Sequence, residues 1–455
     1  MYDVIIIGGG PGGYVVSIRL SKLGKNVVLI EKNELGGTCT NVGCIPTKAL
    51  LNASHLYSEM NDKGKRFGVT AEELSYDVGK VMKHSKKAVT LSRKGIEHLL
   101  NENNVEIIEG TAEIVDKGKI RIKENGAFVE GQNLILAQGS NPANFPPFEN
   151  VEGIMTSDDV FSMEKFPESI LIIGGGYIGV EFATFFSSFG VKVNLVEVLD
   201  QILSTEDKDV AEDIKKSLKR KGVKVLEKTE VTTVEKENGT FTSTIKNKEK
   251  DEQQELETES VLLAVGRKPA ITEDIKALGV EIDKGVITDD HMCTNIENVY
   301  AIGDIKAKYM LAHTAMHEGI VTAENIAGID TKMDYSAIPS VIFSNPEVAS
   351  VGLREKDVEK EKIKVSKFPI SATGKARTME ERIGFAKVIS DEEDDTVLGL
   401  TIVSPNATEM IMEGVIAVRN KLTTLQLMES IHPHPTLTET VLGALEKAND
   451  REIHI

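Results

Sequence analysis

A continuous apolar run near the N-terminus passes through a glycine turn into a helix-like segment. The run Val4–Ile7 is rich in β-branched residues, and a second apolar run, Val27–Ile30, follows the helix-like segment and ends in Glu31. This order of strand, glycine turn, helix and strand predicts a Rossmann βαβ unit. In such a unit, glycines let a helix N-terminus approach a pyrophosphate, and the acid accepts a ribose hydroxyl. The glycines at the required spacing are Gly8, Gly10 and Gly13.

The same pattern returns in the middle of the chain. Ile170–Ile173 leads through a second glycine turn and a helix-like segment into Val191–Val196, which is followed by Glu197. In both copies, 23 positions separate the first glycine from the acid. The chain is therefore predicted to carry two dinucleotide modules of one design. The glycines of the second turn are Gly174, Gly176 and Gly179.

The remaining pattern predicts shorter elements and a third kind of domain. Before position 338 the pattern predicts a helix over 52–94, short strands within 104–130, and strands at 134–137, 261–265 and 299–302. Pro142, Pro146 and Pro147 mark a linker, and the polar run 247–259 predicts a solvated hairpin. Later it predicts strands at 340–343, 384–389 and 397–403 and helices at 409–420 and 438–448. The predicted fold class is α/β, with two Rossmann-like domains and a C-terminal α+β domain. The predicted domains are 1–142, 143–271, a segment 272–338 that returns to the first domain, and 339–455.

Composition narrows the class of protein. The chain has 455 residues, enough for about three domains, each with its own core. Lys and Arg total 53 against 71 Asp and Glu, and the net charge of −18 argues against nucleic acid or an anionic membrane as a partner. No apolar run reaches the roughly 18 residues of a membrane span. With only three cysteines, of which Cys293 has no obvious partner, the sequence predicts a cytoplasmic protein of a reducing compartment.

Two of the three cysteines lie five positions apart in the glycine-rich segment 36–48, which we call the redox segment. A disulfide between Cys39 and Cys44 needs a bent backbone, which Gly43 permits. Pro46 suits the first turn of a helix, so Cys44 is expected near a helix N-terminus, where the partial positive charge favours the thiolate. The pattern fits a redox disulfide. Taken alone, it equally fits two buried thiols or half of a metal site.

The two modules and the histidines add candidate chemistry. Two dinucleotides with a redox disulfide suggest a nicotinamide coenzyme and a bound flavin that holds electrons. Glu197 would repel a 2′-phosphate, and the segment 198–201 contains no arginine, so NAD is expected rather than NADP. Asp304 suits the ribityl chain of a flavin, although a lone Gly-Asp is usually a turn or a cap. His432 and His434 are held extended by prolines. A lone pair of this kind is most often structural, but a redox disulfide that exchanges protons still requires an acid/base, and a histidine held by a carboxylate would supply it.

Long motifs along the whole chain resemble those of the pyridine nucleotide-disulfide oxidoreductases, in particular members that act on lipoamide. The motifs are the redox segment, both glycine fingerprints, and residues 264–267, 300–304, 310–319 and 432–439. The resemblance implies an enzyme that oxidises protein-bound dihydrolipoamide with NAD+. It also implies one non-covalent FAD per subunit and a homodimer formed by the C-terminal domain. The lipoyl-bearing partner would belong to a 2-oxo acid dehydrogenase complex or to the glycine cleavage system.

The resemblance also implies residue roles. Cys39 would be the interchange thiol facing lipoamide, and Cys44 the charge-transfer thiol against the flavin. His434, oriented by Glu439, would be the acid/base that reaches the disulfide of the partner chain. Lys48 would pair with Glu181 near the flavin. FAD would be bound by the first glycine turn together with Glu31, Lys48, Asp304 and Ala312. NAD would be bound by the second glycine turn together with Glu197. The remaining implied cofactor contacts are Ala112, Val231 and Gly266.

Two residues depart from the family pattern, and three other readings compete. Gln138 stands where threonine is usual near the flavin, and Pro433 where alanine is common. Glutathione, mercuric and trypanothione reductases share the flavin-binding architecture. Their NADP-dependent members, however, have arginines where this chain has Glu197. A flavin-bound NADH sensor without turnover would not need the cysteines or His434. A zinc site of Cys39, Cys44, His432 and His434 lacks the spacing of a ligand set, so no metal is expected.

Overall fold

In a computed structural model, which describes residues 1–149, 151–359 and 362–454, the N-terminal part builds a sheet with the order β3-β2-β1-β6-β5-β4. Strands β1, β2, β3 and β6 run parallel, and β4 and β5 form an antiparallel extension. The elements are β1 (Tyr2–Ile7), α1 (Pro11–Lys22), β2 (Val27–Glu31), α2 (Gly37–Val42), α3 (Cys44–Asp62), α4 (Val78–Glu102), β3 (Glu106–Glu109), β4 (Ala112–Asp116), β5 (Lys119–Ile122) and β6 (Phe128–Leu136).

The β1 sequence is apolar at every position from Val4 because both faces of the sheet are covered. Val4 and Ile6 pack in one cluster with Val16 of α1, whereas Ile5 and Ile7 pack in a cluster on the opposite face. Successive side chains of a strand point to opposite faces, so one continuous run serves two cores. The first predicted βαβ unit is confirmed.

The predicted helix over 52–94 is interrupted between Asp62 and Val78. Gly68 adopts a φ of 76°, which ends the short 3-10 turn Gly64–Phe67. Beyond it, the Tyr76 ring lies 4.7 Å from that of Phe189. A left-handed glycine followed by an aromatic anchor explains why helical composition does not produce one continuous helix here.

The second module forms a five-stranded parallel sheet with the order β11-β10-β9-β15-β8. Strands β12, β13 and β14 form an antiparallel sheet, and their last turn lies within the predicted hairpin at 247–259. The elements are β7 (Ser140–Pro142), β8 (Met155–Thr156), β9 (Ser169–Ile173), α5 (Tyr177–Ser188), β10 (Lys192–Val196), α6 (Lys208–Arg220), β11 (Lys224–Leu226), β12 (Thr229–Glu237), β13 (Thr240–Asn247), β14 (Gln253–Thr258), β15 (Ser260–Leu263) and β16 (Arg267–Pro269).

The chain then returns to the first sheet. After α7 (Glu273–Ala277), strand β17 (Val299–Ala301) pairs in parallel with β6, and α8 (Ala312–Ile326) packs on α1. The two helices approach closely at Gly319, where an added Cβ would lie 2.9 Å from the carbonyl oxygen of Gly12. This return brings Asp304, directly after β17, to the carboxyl end of the first sheet, where nucleotides bind in such folds.

The C-terminal part is an antiparallel sheet with the order β18-β19-β22-β21-β20, covered by helices. The predicted helix 409–420 is wrong at its start: α10 begins at Ala407 after the left-handed Asn406, and the chain breaks at Ile411. Strands β19 and β20 and helix α12 were not predicted. The elements are β18 (Ser340–Ile342), β19 (Glu347–Gly352), β20 (Ile363–Pro369), α9 (Gly374–Thr378), β21 (Phe385–Asp391), β22 (Val397–Ser404), α10 (Ala407–Met410), α11 (Met412–Asn420), α12 (Thr424–Met428) and α13 (Glu439–Ala448).

None of the helices within the described residues has the length and apolar character that crossing a membrane requires.

Candidate functional site

The first glycine turn is shaped by close backbone contacts. Gly8 has a φ of 107°, and an added Cβ would lie 2.3 Å from the carbonyl oxygen of Ala137. A Cβ on Gly13 would lie 1.8 Å from the carbonyl oxygen of Gly8. Glu31 accepts hydrogen bonds from the backbone N–H of Gly9 at 2.6 Å and of Asn33 at 2.8 Å. Strand, turn and acid are therefore locked together, with the N-terminus of α1 pointing out of the turn.

The redox segment packs directly on this turn. The N–H of Gly36 donates to the carbonyl of Gly9 at 2.8 Å. A Cβ on Gly37, which has a φ of 56°, would lie 2.8 Å from the Cα of Gly10. Because Gly36 and Gly37 have no side chains, the backbone of the redox segment can touch the backbone of the first glycine turn.

Cys39 and Cys44 form a disulfide, with their Cα atoms 4.6 Å apart. Cys39 lies in the short helix α2, Gly43 breaks the helical path, and Cys44 is the first residue of α3. The expected bend and the expected position of Cys44 at a helix start are both confirmed. The helix dipole there favours a thiolate at Cys44 once the disulfide is reduced.

Lys48, one helical turn after Cys44, joins three parts of the chain. Its Nζ lies 3.1 and 3.0 Å from the two carboxylate oxygens of Glu181 in α5. The same carboxylate accepts the N–H of Phe343 at 3.0 Å, and Lys48 Nζ lies 4.6 Å from the Phe343 ring centroid. A lysine whose carboxylate partner is held in this way keeps its charge in one place.

Asp304 anchors a second chain of polar contacts at the same end of the sheet. Its Oδ2 accepts the hydroxyl of Ser140 at 2.5 Å, and Ser140 in turn accepts Nε of Arg267 at 2.8 Å. Arg267 also donates to Thr38 of the redox segment at 3.3 Å. Burial raises the pKa of Asp304, although Ser140 and Arg267 oppose this shift. Ala312 begins helix α8, a few residues further on.

The second glycine turn repeats the first. Gly174 has a φ of 107°, and a Cβ on Gly179 would lie 1.9 Å from the carbonyl oxygen of Gly174. Glu197 accepts the N–H of Gly175 at 2.7 Å and that of Leu199 at 2.8 Å. By contrast, a Cβ on Gly176 would meet nothing within 4 Å. The second turn is therefore open beside Gly176, although the N–H of Leu203 donates to the carbonyl of Gly175 at 2.8 Å.

The other three implied cofactor residues lie at different depths. Ala112 is partly buried in β4, and Val231 of β12 is buried in a cluster with Val196. Gly266 precedes β16 with a φ of 105° and open space where a Cβ would stand. Their contacts with a cofactor stay predictions.

The geometry of both turns fits a dinucleotide. A Cβ on Gly10 would meet only the Cα of Gly37, at 4.0 Å, so there is room beside the backbone. Next to the first turn, the amide oxygen of Gln138 is buried and has no hydrogen-bond partner among the described residues. A buried polar atom without a partner costs free energy, so a ligand that donates a hydrogen bond there would stabilise the site. The residue that departs from the family pattern therefore still fits a polar cofactor.

The C-terminal domain holds two histidine–glutamate pairs. His434 Nδ1 lies 2.7 Å from Glu439, and its side chain is 74% exposed. Burial opposes a low pKa for Glu439, but the bonds from His434 and the Thr436 N–H hold the pKa below its usual value. The side chain of His432 is 6% exposed, with Nε2 2.8 Å from Glu413 and Nδ1 2.8 Å from the Ser430 carbonyl. The bond to Glu413 raises the pKa of His432.

A metal centre has no support within the part of the chain that the structure describes, which holds no cluster of three potential ligands. Cys293 is a partly buried free thiol whose pKa burial raises.

The sequence did not single out three residues that the structure places in these networks. Arg267 links the Asp304 corner to the redox segment, Phe343 fixes Glu181, and Glu413 holds His432. Arg267 is the last residue of the motif 264–267, directly after the apolar run 261–265 and Gly266, and this position was a usable signal. For Phe343 and Glu413 no such signal existed, because one acts through its backbone and the other through a distant pairing.

Comparison with protein families agrees with this geometry. Residues 2–319 match the model of the pyridine nucleotide-disulphide oxidoreductases, and residues 338–445 match the dimerisation domain of the same family. The family uses a flavin and a nicotinamide cofactor. The matched dimerisation domain supports a homodimer.

Relatives named dihydrolipoyl dehydrogenase match along the full length. The protein of Geobacillus stearothermophilus is 39% identical over 100% of this chain and 97% of its own, and that of Chlamydia pneumoniae is 35% identical over 100% and 98%. Among solved structures, an HOCl-induced flavoprotein disulfide reductase of Escherichia coli superposes with a TM-score of 0.88 at 25% identity, covering 98% of this chain and 99% of that one. LpdA of Mycobacterium tuberculosis, at 21% identity, shares the fold with a TM-score of 0.89 over 98% and 99%. The resemblance seen in the motifs is therefore confirmed: the chain belongs to the pyridine nucleotide-disulphide oxidoreductases and is an oxidoreductase similar over its whole length to the dihydrolipoyl dehydrogenases.

Proposed function

We propose that the protein oxidises protein-bound dihydrolipoamide to lipoamide, with NAD+ as the final acceptor and FAD at the first glycine turn. The observation that carries this proposal is the Cys39–Cys44 disulfide at the start of α3, seated on the first turn through Gly36 and Gly37. A disulfide in this position receives electrons from a dithiol on one side and passes them to a nucleotide on the other.

The first half-reaction is thiol–disulfide exchange. A dihydrolipoamide thiolate attacks the Cys39 sulfur, and the bond between Cys39 and Cys44 breaks, which leaves a Cys44 thiolate. The second lipoyl sulfur then attacks the mixed disulfide, closes the lipoamide ring and releases Cys39. The substrate dithiol is oxidised and the protein disulfide is reduced by the same two electrons. The helix dipole at Cys44 favours this direction of bond cleavage.

His434 takes up the substrate proton in this proposal. Glu439 holds Nδ1 at 2.7 Å, so Nε2 is the nitrogen free to accept a proton. The 74% exposure of His434 in one chain leaves it available to meet another surface. In the homodimer we assign it to the disulfide of the partner subunit, because a two-fold interface lets one chain complete the site of the other.

The residues around the first turn would hold the flavin. Glu31 faces the turn, Asp304 stands at the carboxyl end of the sheet, and Lys48 presents a fixed cation. A bound flavin supplies a two-electron acceptor between the protein thiols and the nicotinamide. Lys48 and Glu181 act by keeping one charge of each sign at a constant position.

The second turn would bind NAD+ in preference to NADP+. Glu197 is held by two backbone N–H groups, so its carboxylate cannot swing away from a 2′-phosphate. The nicotinamide specificity, the four domain limits of the sequence analysis, the cytoplasmic location and the lipoyl-bearing partner all belong to this proposal.

One titration tests the flavin, the disulfide and the substrate together. Purified protein is titrated with dihydrolipoamide under anaerobic conditions while its absorption spectrum is recorded. We expect flavin bands in the untreated protein and a long-wavelength band as the Cys44 thiolate forms, followed by recovery when NAD+ is added. A flavin spectrum that does not respond to dihydrolipoamide would refute the substrate assignment.

A further inference from the structure

The segment 198–207, which we call the strap, connects the second glycine turn with the C-terminal domain. It begins directly after Glu197, and the N–H of Leu199 donates to that carboxylate at 2.8 Å. Further along, the N–H of Leu203 donates to the carbonyl of Gly175, also at 2.8 Å. The strap therefore helps to fix both the acid of the second turn and its second glycine.

The backbone of the strap needs support at Leu203. This leucine has a φ of 49°, in the left-handed region that residues with a Cβ rarely adopt. Its side chain and that of Ile202 are buried, and the N–H of Ile202 donates to Glu227 of the second module at 3.0 Å. The far end of the strap, at Glu206 and Asp207, is held by the C-terminal domain instead.

Glu206 is held by a buried arginine. Its side chain is 1% exposed and lies 3.0 Å from Nε of Arg354, whose side chain is 11% exposed. The hydroxyl of Ser350, in β19, also donates to Glu206, at 2.9 Å. Arg354 donates in turn to the carbonyl of Gly352 at 2.8 Å, so its guanidinium is fixed within the C-terminal domain.

Asp207 is held by a second buried cation. Nζ of Lys387, whose side chain is 1% exposed, lies 2.7 Å from Asp207. The backbone N–H groups of Glu355 and Lys356 also donate to Asp207, both at 3.2 Å. The ammonium of Lys356 donates to the carbonyl of Ser204 at 2.6 Å. The end of the strap is thus bound by several donors of the C-terminal domain.

These ion pairs fix geometry more than they add stability. A buried ion pair contributes little net free energy of folding, because both charges lose their water, but separating the partners leaves a costly unpaired charge. Two such pairs, at the successive residues Glu206 and Asp207, therefore hold the strap in one position relative to the C-terminal domain. The proposed chemistry uses neither Arg354 nor Lys387.

We propose that Arg354 and Lys387 are positioning residues for the nicotinamide nucleotide. They hold the strap, and the strap holds Gly175 and Glu197 of the second turn. A turn that is fixed before binding loses less conformational entropy when NAD+ binds, so the nucleotide binds more tightly. The inference rests on the proposed function and deepens it, because the domain that carries His434 would also set the affinity of the second turn.

The main test compares holoenzymes that differ at Arg354. R354M keeps most of the side-chain volume but leaves Glu206 buried without its cation. Its KM for NAD+ should rise about tenfold, while kcat and the rate of flavin reduction by dihydrolipoamide stay within about twofold of wild type. R354K restores a cation and should return KM to within about threefold of wild type. An unchanged KM in R354M would overturn the proposal.

K63M is the matched control. Lys63, directly after α3, pairs with Glu381 of the C-terminal domain, and the two side chains are 19% and 17% exposed. This ion pair also joins the C-terminal domain to another part of the chain, but it lies outside the strap and the second turn. K63M should therefore keep the wild-type KM for NAD+. A rise equal to that of R354M would show that general loosening of the C-terminal domain is the cause, and the role of the strap would be refuted.

D207N tests Lys387 without leaving this lysine unpaired, because its Nζ also lies 2.9 Å from Asp209 at the start of α6. The neutral amide weakens the bond between Lys387 and the strap, so KM for NAD+ should rise about threefold. A wild-type KM in D207N would refute the role of Lys387.

Two further measurements separate positioning from stability. E206Q/R354M removes both charges of one pair, so its Tm should lie closer to wild type than that of R354M, whereas its KM for NAD+ should stay raised. Hydrogen exchange of the amides in 198–207 should be faster in both variants than in wild type and K63M. A KM that recovers together with Tm, or a raised KM with wild-type exchange in the strap, would contradict the proposal.

Wild type separates this inference from the proposed function. If NAD+ does not reoxidise wild type that dihydrolipoamide has reduced, the proposed function fails. If NAD+ does so, and R354M saturates at the same NAD+ concentration as wild type, the function stands and the positioning role of the strap is wrong.

Discussion

The two glycine turns of this protein have nearly the same internal geometry and differ in what lies beside Gly10 and Gly176. Gly8 and Gly174 share a φ of 107°, and in each module a glutamate accepts the N–H of the second glycine. The backbone at the start of the helix is also alike, with φ and ψ of −68° and −174° at Gly10 and −69° and −177° at Gly176. Sequence spacing alone reproduces the dinucleotide turn twice.

The difference lies in what covers each turn. A later segment lies against each turn, since the N–H of Gly36 donates to the carbonyl of Gly9 and that of Leu203 to the carbonyl of Gly175, both at 2.8 Å. In the first turn this segment also reaches the next glycine, where the Cα of Gly37 would lie 4.0 Å from an added Cβ on Gly10, whereas an added Cβ on Gly176 would meet nothing within 4 Å. A nucleotide enclosed by later parts of the chain dissociates slowly, and one at an open turn can exchange on each catalytic cycle. Under the proposed function the first turn would hold the resident flavin and the second the exchanging nicotinamide nucleotide, and the backbone of Gly37 beside Gly10 is a feature that distinguishes the two turns.

Removing the disulfide should have the largest effect, because the disulfide links oxidation of the substrate to the two nucleotide sites. Cys39→Ser and Cys44→Ser should reduce dihydrolipoamide oxidation to background, because no other residue can accept the substrate electrons. Oxidation of NADH by an artificial dye should persist in both variants, since this reaction needs only the second glycine turn and the flavin. Loss of the dye reaction in a variant that still holds flavin would contradict the separation of the two sites.

The same two variants sharpen the thiol roles. Cys39→Ser should show long-wavelength absorption without any reductant, because it leaves a Cys44 thiolate next to the flavin. Cys44→Ser should not. Equal spectra from the two variants would refute the assignment.

The next largest effect concerns the acid/base, which neither glycine turn provides. His434→Ala should lower kcat by a factor of about 10² to 10⁴, the usual contribution of a positioned acid/base. Mixing this chain with the Cys44→Ser chain and reassociating them at random gives about half mixed dimers, each with one intact site. Activity should therefore recover to about a quarter of wild type. Mixed dimers that stay inactive would place His434 in the site of its own chain.

Matched substitutions of the two glutamates compare the turns directly. Glu31→Ala should lower flavin retention about tenfold or more, because a carboxylate that accepts two N–H bonds is lost at the resident site. Glu197→Ala should leave the flavin content unchanged, raise KM for NAD+ about tenfold and narrow the preference over NADP+. Each variant is the control for the other. Loss of flavin from Glu197→Ala would show that the two turns are not independent.

The parts that sequence predicted are those set by short-range pattern. The turns, their glutamates and the position of Cys44 at a helix start follow from spacing within about 25 residues. The contact of His434 with Glu439 was implied only by the family resemblance. Lys48 and Glu181, 133 positions apart, were paired only through the family resemblance. Their reaction roles stay predictions.

The parts that sequence missed depend on tertiary contacts. Glu181 is fixed by the N–H of Phe343, 162 positions away, and a backbone donor leaves no trace in residue identity. Strand β19 reads only weakly as a strand because Glu347 and Gly352 bound a short apolar core, yet its pairing with β22 decides its structure. The cover over the first turn was likewise invisible, since glycine freedom at Gly37 does not say which backbone it will touch.

The smallest expected effect concerns the stability of the apoprotein, to which the charge of Asp304 near the first glycine turn contributes. Asp304 is partly buried, and this burial raises its pKa, so at neutral pH the folded apoprotein holds a carboxylate charge that the unfolded chain would leave in water. Its contribution to stability is therefore most favourable at acid pH and becomes less favourable as pH rises through the raised pKa. Asp304→Asn removes the charge and keeps an oxygen that can accept the Ser140 hydroxyl.

Asp304→Asn apoprotein should therefore have a slightly higher Tm than wild-type apoprotein at about pH 8, and the gap should close toward about pH 4. Ser140→Ala removes the donor that partly compensates the buried charge, so its apoprotein should melt below wild type at the higher pH. Flavin retention should fall in Asp304→Asn despite the gain in Tm, since the carboxylate is kept for the ligand. A Tm gap that is constant from pH 4 to pH 8 would mean that the charge of Asp304 does not set the stability of the apoprotein at this site. In that case the redox segment packed on Gly10 would remain as the feature that distinguishes the first turn from the second.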